Sequence, residues 1–283
     1  MAEVKTGLVL EGGGVRGIYT AGVLDVFMEN SLTFDGLMGV SAGAIHGCSY
    51  LSGQKGRSIR YYRKYVSDPR FMSLRSWIKT GDIVGADFCY HELPDKLDVY
   101  DHDAFLHNPT PFYVVCTNVE TGLPEYIPLT DMKGQIDYLR ASASLPYFSR
   151  IVELDGKKYL DGGCTDSIPA QAFLRMGYGR CVVVLTRDAA YRKSPEMRAI
   201  ARLLYRKYPA FIQALEQRHV MYNRQLETVS ALEKEGRVFV IRPTHPLTIG
   251  RLEQDPAKVQ QVYDTGRADA IAALARLQAW LAQ

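Results

Sequence analysis

Five short runs in this chain are apolar with almost no polar alternation: residues 6–11 (TGLVLE), 35–40 (DGLMGV), 112–117 (FYVVCT), 181–186 (CVVVLT) and 237–242 (RVFVIR). A strand with one face in water alternates apolar and polar residues. A run that is apolar on both faces reads as a parallel strand covered by helices on both sides. Helical periodicity fills the spaces between. Ile18, Ala21, Leu24 and Met28 mark a helix from about residue 17 to 30, and a helix of small residues begins near Ala42. After Pro256, Val259, Val262, Gly266, Ala270, Leu274, Leu277 and Leu281 recur at steps of three and four, the spacing of one helix face. Strands alternating with helices specify an α/β fold with a mainly parallel sheet.

No internal repeat and no Gly-, Pro- or Ser-rich linker divides the 283 residues, so a single domain over 1–283 is expected. Within it, 53–110 reads as helices capping the sheet, 187–235 as a basic helical section and 256–283 as the C-terminal helix. Hydrophobic residues at 47% and charged residues at 23% exclude a disordered or collagen-like chain. The charge sum, 34 − 31 = +3, makes no nucleic-acid footprint. The five cysteines are odd in number, scattered and without a C-x-x-C pair, which argues against a disulfide framework and for a reducing compartment. The N-terminus fails as a signal peptide, and no run approaches 18 apolar residues. A soluble, cytoplasmic protein is the expectation.

Two glycine-rich loops carry the chemistry. Gly12-x-Gly14-x-x-Gly17 stands between a strand and a helix and matches the dinucleotide fingerprint. That fingerprint needs an acidic residue at the end of the second strand. Here Asp35 precedes the strand, which ends in Gly39-Val40-Ser41-Ala42-Gly43. A nicotinamide oxidoreductase is therefore the remote alternative. G-x-S-x-G on a strand-to-helix turn is the pattern of a nucleophile elbow, which exposes the serine hydroxyl at a helix N-terminus. The neighbouring glycines can turn their N–H groups toward a developing oxyanion, and Arg16 adds a charge or braces the loop.

Ser41 needs a base. It follows only two strands, which does not fit the α/β-hydrolase order. None of His46, His91, His102, His107, His219 and His245 lies in a glycine-rich strand-end turn. Asp161, in KKYLDGGCTDSIP, ends a short strand beside a turn, and a held carboxylate can deprotonate serine directly.

With these blocks in order, the chain resembles the patatin-like phospholipases, in their bacterial form. The oxyanion block is Gly12, Gly13, Gly14, Val15, Arg16 and Gly17. The elbow block is Gly39 to Gly43, the third block is Ala141 to Phe148 (ASASLPYF), and the fourth is Asp161-Gly162-Gly163. The blocks cover about residues 7 to 163. The resemblance implies a three-layer α/β/α sandwich and a Ser41–Asp161 dyad without a catalytic histidine. It also implies an oxyanion hole from the first glycine block and metal-free, cofactor-free hydrolysis of lipid or phospholipid acyl esters. A low-turnover lipid-binding or regulatory protein that keeps the site is the alternative. Head group, acyl length and oligomeric state stay open.

Outside the blocks, the basic section carries Met197, Ile200, Ala201, Leu204 and Tyr208 at helical spacing, with Arg198, Arg202 and Arg206 as a separate stripe. A basic amphipathic helix over about 192–208 is expected, suited to peripheral contact with an anionic membrane. A solvated face over an ordinary core helix explains the same pattern.

Overall fold

The structure is a computed structural model that describes residues 4–195 and 198–283. Its central sheet runs β5-β6-β3-β2-β1-β7-β8. The strands are β1 (Thr6–Leu10), β2 (Gly36–Val40), β3 (Phe112–Asn118), β4 (Leu123–Leu129), β5 (Val152–Leu154), β6 (Lys157–Asp161), β7 (Arg180–Val184) and β8 (Val238–Ile241). The five expected strands, β1, β2, β3, β7 and β8, pair in parallel with one another. Every residue of β1 and β2 is buried, as strands with helices over both faces must be. Each fully buried Leu or Val in them contributes about 1.5–3 kcal/mol by leaving water.

Two strands went unannounced by periodicity. β4 carries Pro124 and Pro128 in LPEYIPL, and β5 has only three residues. Proline removes a ladder donor, so it demotes a run read from sequence while remaining tolerable on an edge strand. β4 pairs β3 antiparallel, as β6 does.

The helices are α1 (Ile18–Glu29), α2 (Ala42–Leu51), α3 (Arg57–Tyr65), α4 (Leu74–Thr80), α5 (His102–His107), α6 (Met132–Ser142), α7 (Ala170–Arg175), α8 (Arg198–Leu204), α9 (Pro209–Lys234) and α10 (Pro256–Leu281). A π-helical turn spans Phe88–Leu97. α10 buries Val259, Val262, Gly266, Ala270 and Leu277, the face its spacing marks. It lies directly on α1: a Cβ on Gly266 would come within 2.1 Å of the Tyr19 carbonyl oxygen. Tyr19 Oη also donates to Asp269 at 2.9 Å. The chain's last helix is thereby clamped to its first.

The basic helix differs from its expected 192–208. Residues 191–195 are not helical, and α8 begins at Arg198. Pro195 is the reason, because the residue before a proline is pushed out of the α region. Met197 lies outside the described residues. Ala201 and Tyr205 are buried, whereas Ile200, Leu203 and Leu204 are exposed, Leu203 by 73%. Leu204 therefore does not belong to the packed face. Arg202 pairs with Glu216 of α9 at 2.8 Å, and Arg206 is exposed. Among the described residues, no helix is long and apolar enough to cross a membrane. None of the five cysteines forms a disulfide.

Candidate active site

One strand acts as the ruler for the site. β2 pairs β3 up to Val40 opposite Val115. The next residue of β3, Cys116, pairs with Asp161, the last residue of β6. β4 occupies the other edge of β3 along its whole length. β2 and β6 therefore share one edge and run toward each other. The residue after β2 is Ser41, and the last residue of β6 is Asp161. Residues 120 positions apart in the chain meet because a parallel and an antiparallel neighbour end at consecutive positions of the same strand.

Ser41 sits at the start of α2 with φ 53 and ψ −124. A positive φ in a residue with a side chain is strained backbone of the kind found at functional turns. Two hydrogen bonds hold it there. The Ser41 N–H donates to Ser142 Oγ at 2.9 Å, and that hydroxyl donates to the Val115 carbonyl at 2.6 Å. The ASASLPYF block thus braces the elbow through Ser142, a contact no short-range spacing could reveal. Gly39 and Gly43 flank the turn. A Cβ on Gly43 would stand 2.5 Å from the Leu10 carbonyl oxygen, so β1 and the start of α2 approach too closely for any side chain.

Asp161 is 2% exposed. Its Oδ1 accepts the Gly163 N–H at 2.8 Å, and its own N–H donates to the Ser144 carbonyl at 2.8 Å. Gly162 passes so close to the Val115 carbonyl that a Cβ there would lie 2.1 Å from its oxygen. Burial pushes the Asp161 carboxyl above the usual carboxylate range, opposed by Arg218, the Ser41 hydroxyl, the Gly163 N–H and Arg251. Oδ2 has no partner of full hydrogen-bond geometry. Ser41 thus stands close enough to lower the Asp161 pKa, although its hydroxyl does not meet full hydrogen-bond geometry with Oδ2.

Gly12, Gly13 and Gly14 line one pocket with Ser41 and Asp161. The Val15 N–H is already committed to the Arg251 carbonyl at 3.0 Å. Arg16 is buried, with Nε donating to Thr186 Oγ1 at 3.4 Å. Gly17 packs against α2, where a Cβ would meet Ala42 Cβ at 2.5 Å. Of the first glycine block, Gly12 to Gly14 thus face the site while Val15 and Gly17 hold the loop.

The histidines stand apart. None of the six lines a pocket that contains Ser41. His46, one turn into α2, bonds Ser58 Oγ through Nδ1 at 2.9 Å, and burial pushes its pKa down to about 3. Asp35 accepts the Thr6 N–H at 2.6 Å, at the opposite end of the sheet from the glycine loop, where it cannot hold a ribose. Among the described residues, no group of three His, Cys, Asp or Glu side chains could hold a metal.

A second, apolar cavity of about 110 Å³ opens on Ser41. Ala42 and Ile45 of α2, Tyr62 of α3, Leu93 of the π-helical turn, and Met132 and Leu139 of α6 wall it. The section 53–110, which reads in sequence as a cap, builds much of this wall. Arg218 of α9 was also beyond sequence reasoning. Its Nε donates to the Gly163 carbonyl at 2.7 Å and steadies the turn that carries Asp161.

A serine at a strained strand-to-helix turn over a covered parallel sheet is the arrangement called a nucleophile elbow. The family model of patatin-like phospholipases matches residues 8–174, more than half the chain, and the chain belongs to that family of ester hydrolases. A domain of unknown function, DUF6363, matches residues 208–282. The uncharacterized protein YjjU of Escherichia coli K12 is 29% identical over 271 residues, 93% of this chain and 75% of that protein. Lysophospholipase NTE1 of Eremothecium gossypii is 25% identical over 291 residues, 93% of this chain and 18% of that protein. A solved structure, VipD of Legionella pneumophila, aligns with a TM-score of 0.48 at 14% identity, covering 97% of this chain and 67% of that one.

Proposed function

We propose that the protein hydrolyses lipid acyl esters through an acyl-Ser41 intermediate, with Asp161 as the base. The observation that carries this reading is the β3 register, which aims Ser41 and Asp161 at each other beside an apolar cavity. Ser41 Oγ attacks the ester carbonyl as Asp161 takes its proton. The N–H groups of Gly12 to Gly14 stabilise the oxyanion. Asp161 returns the proton to the departing alcohol, leaving the acyl group on Ser41. Water, deprotonated by Asp161, then attacks the acyl carbonyl, and Asp161 returns that proton to the departing Ser41 Oγ as the fatty acid is released. The apolar cavity holds the acyl chain. No metal, cofactor or histidine takes part.

The test is a fluorophosphonate probe followed by peptide mass spectrometry, beside turnover of p-nitrophenyl butyrate. One adduct on the peptide carrying Ser41, with turnover lost in proportion to labelling, is the expected result. An adduct on another serine, or full turnover by labelled protein, overturns it.

The same reading includes peripheral contact with an anionic membrane. α4 presents Leu74, Trp77 and Ile78 to solvent, 64%, 40% and 75% exposed, with Arg75 and Lys79 beside them in the same helix. α8 presents Leu203 and Leu204. The loop at Tyr147 and Phe148 joins the two helices: the Phe148 carbonyl accepts the Ile83 N–H just after α4, and the Tyr147 N–H donates to Tyr205 Oη just after α8. Each cation near an anionic surface contributes about 1 kcal/mol. Replacing Arg75, Lys79 and Arg206 with Gln should therefore weaken binding to phosphatidylglycerol vesicles by about two decades at low salt. Co-sedimentation across salt measures it, since the attraction fades as the Debye length falls from about 10 Å at 0.1 M to about 3 Å at 1 M. Equal binding to neutral vesicles would remove the anionic-surface reading.

A further inference from the structure

Ser41 lies at the junction of two pockets of opposite character. Beside the apolar cavity is a polar one of about 40 Å³, into which Arg16, Arg187, Lys193, Arg218 and Arg251 face together with Glu11 and Asp161. Among the described residues, five cations thus line it with two carboxylates. Glu11 is already engaged, accepting from Tyr222 Oη at 2.7 Å and from the Thr186 N–H and hydroxyl at 2.6 and 3.2 Å. Lys193 and Arg218 have partners of their own. Among the described residues, no carboxylate pairs with Arg16, Arg187 or Arg251 within 4 Å.

Holding three such guanidinium groups around one cavity is repulsive, most of all at a buried position. Arg16 is 5% exposed, and burial foremost, with Arg187 and Arg251 adding to it and Glu11 opposing, pushes its pKa down to about 10. Planar guanidinium forks match the oxygens of phosphate and carboxylate. Size narrows the ligand further. The pocket's volume of about 40 Å³ has room for a few water molecules, so the part of a ligand it encloses is small. Arg187 and Arg251 lie beyond residues 8–174, Arg251 within the 208–282 match, so the pocket is completed by chain outside the patatin-like match.

We propose that this pocket is the subsite for a compact anion on the alcohol side of the ester, so that the substrate is an acyl ester of a small alcohol bearing an unsubstituted phosphate. The assignment rests on the acyl-Ser41 reading. The acyl chain lies in the apolar cavity, the ester carbonyl at Ser41, and the phosphate against Arg187, Arg251 and Arg16. A zwitterionic head would bring its cation toward arginines and be disfavoured.

The experiment compares kcat/KM on 1-oleoyl lysophosphatidate, 1-oleoyl lysophosphatidylcholine and monooleoylglycerol in mixed micelles of one neutral detergent. Lysophosphatidate is expected to lead both by about 10-fold to 100-fold, the range one charge-assisted hydrogen bond contributes. In Arg187→Gln, and separately in Arg251→Gln, that ratio should fall about 10-fold, with folding checked by circular dichroism. Calorimetry on Ser41→Ala, which leaves the arginines in place, reads inorganic phosphate binding, and Arg187→Gln added to it should abolish that binding. Equal rates on all three esters together with tight phosphate binding would mean that the anion is a free ion, and would overturn the substrate assignment. Equal rates with no phosphate binding would overturn the subsite itself. A protein inert on all three esters would overturn the acyl-Ser41 reading and the substrate with it, and the calorimetry separates that failure from loss of the anion site.

Discussion

Ser41→Ala should remove ester hydrolysis by about 10⁴-fold or more and abolish fluorophosphonate labelling, while the protein stays folded. Losses of that order follow when a serine nucleophile is deleted and only binding and oxyanion contacts remain. The fold should persist because the bonds that hold the elbow use its backbone: the Ser41 N–H bonds Ser142 Oγ, and the Gly43 approach to β1 involves no Ser41 side-chain atom. Alanine keeps the strained φ of 53, so little change in melting temperature is expected. Undiminished turnover by the purified variant, with contamination excluded, would sink the nucleophile assignment.

Asp161→Asn should cost about 10³-fold or more in kcat, because a neutral amide cannot take the serine proton. Asparagine can still accept the Gly163 N–H through its own oxygen, so the turn survives. The stability effect should run the other way. Burial raises the Asp161 pKa in the folded protein, so folding favours its protonated form. The stability linked to that group is fully present below its unfolded pKa, about 3.9, and is lost as pH rises through the raised folded value. At neutral pH the wild type therefore carries a buried charge that the asparagine variant lacks. Asp161→Asn should melt at the same temperature or a few degrees higher, by about 2–4 °C per kcal/mol in a chain of this size. Wild-type kcat should rise with pH through a carboxylate placed above the ordinary range, with no fall assignable to a histidine. His46, held near a pKa of 3 by burial, stays neutral throughout. Single histidine replacements should cost less than about 10-fold in kcat if the fold holds. A histidine variant that matches the Asp161 loss with intact folding would replace the carboxylate as base.

The parts of the molecule legible in the sequence are those set by short-range physics. Parallel strands buried on both faces must be apolar at every position, and β1, β2, β3, β7 and β8 obey that rule. Gly39 of the elbow is forced by Ala44, five residues on, although Gly43 is forced by β1 at Leu10. The α10 face that packs on α1 appears in its own i, i+3/i+4 spacing. Legibility failed where proline masked an edge strand, in β4, and where Pro195 shortened a helix whose charges still read as one stripe.

The sequence by itself determined that five apolar runs become parallel strands, that Ser41 follows one of them and that Asp161 ends a further short strand, since these follow from steric limits and periodicity along a few residues. Only the tertiary structure decided that these two ends meet. That depends on β2 and β6 sharing one edge of β3, with pairings at Val115 and Cys116 that no local pattern encodes. The Ser142 brace, the Arg218 contact to Gly163, and the gathering of Arg16, Arg187 and Arg251 around one small cavity have the same origin. Each joins groups tens to hundreds of residues apart, and a charge in a sequence carries no mark of which distant charges it will face.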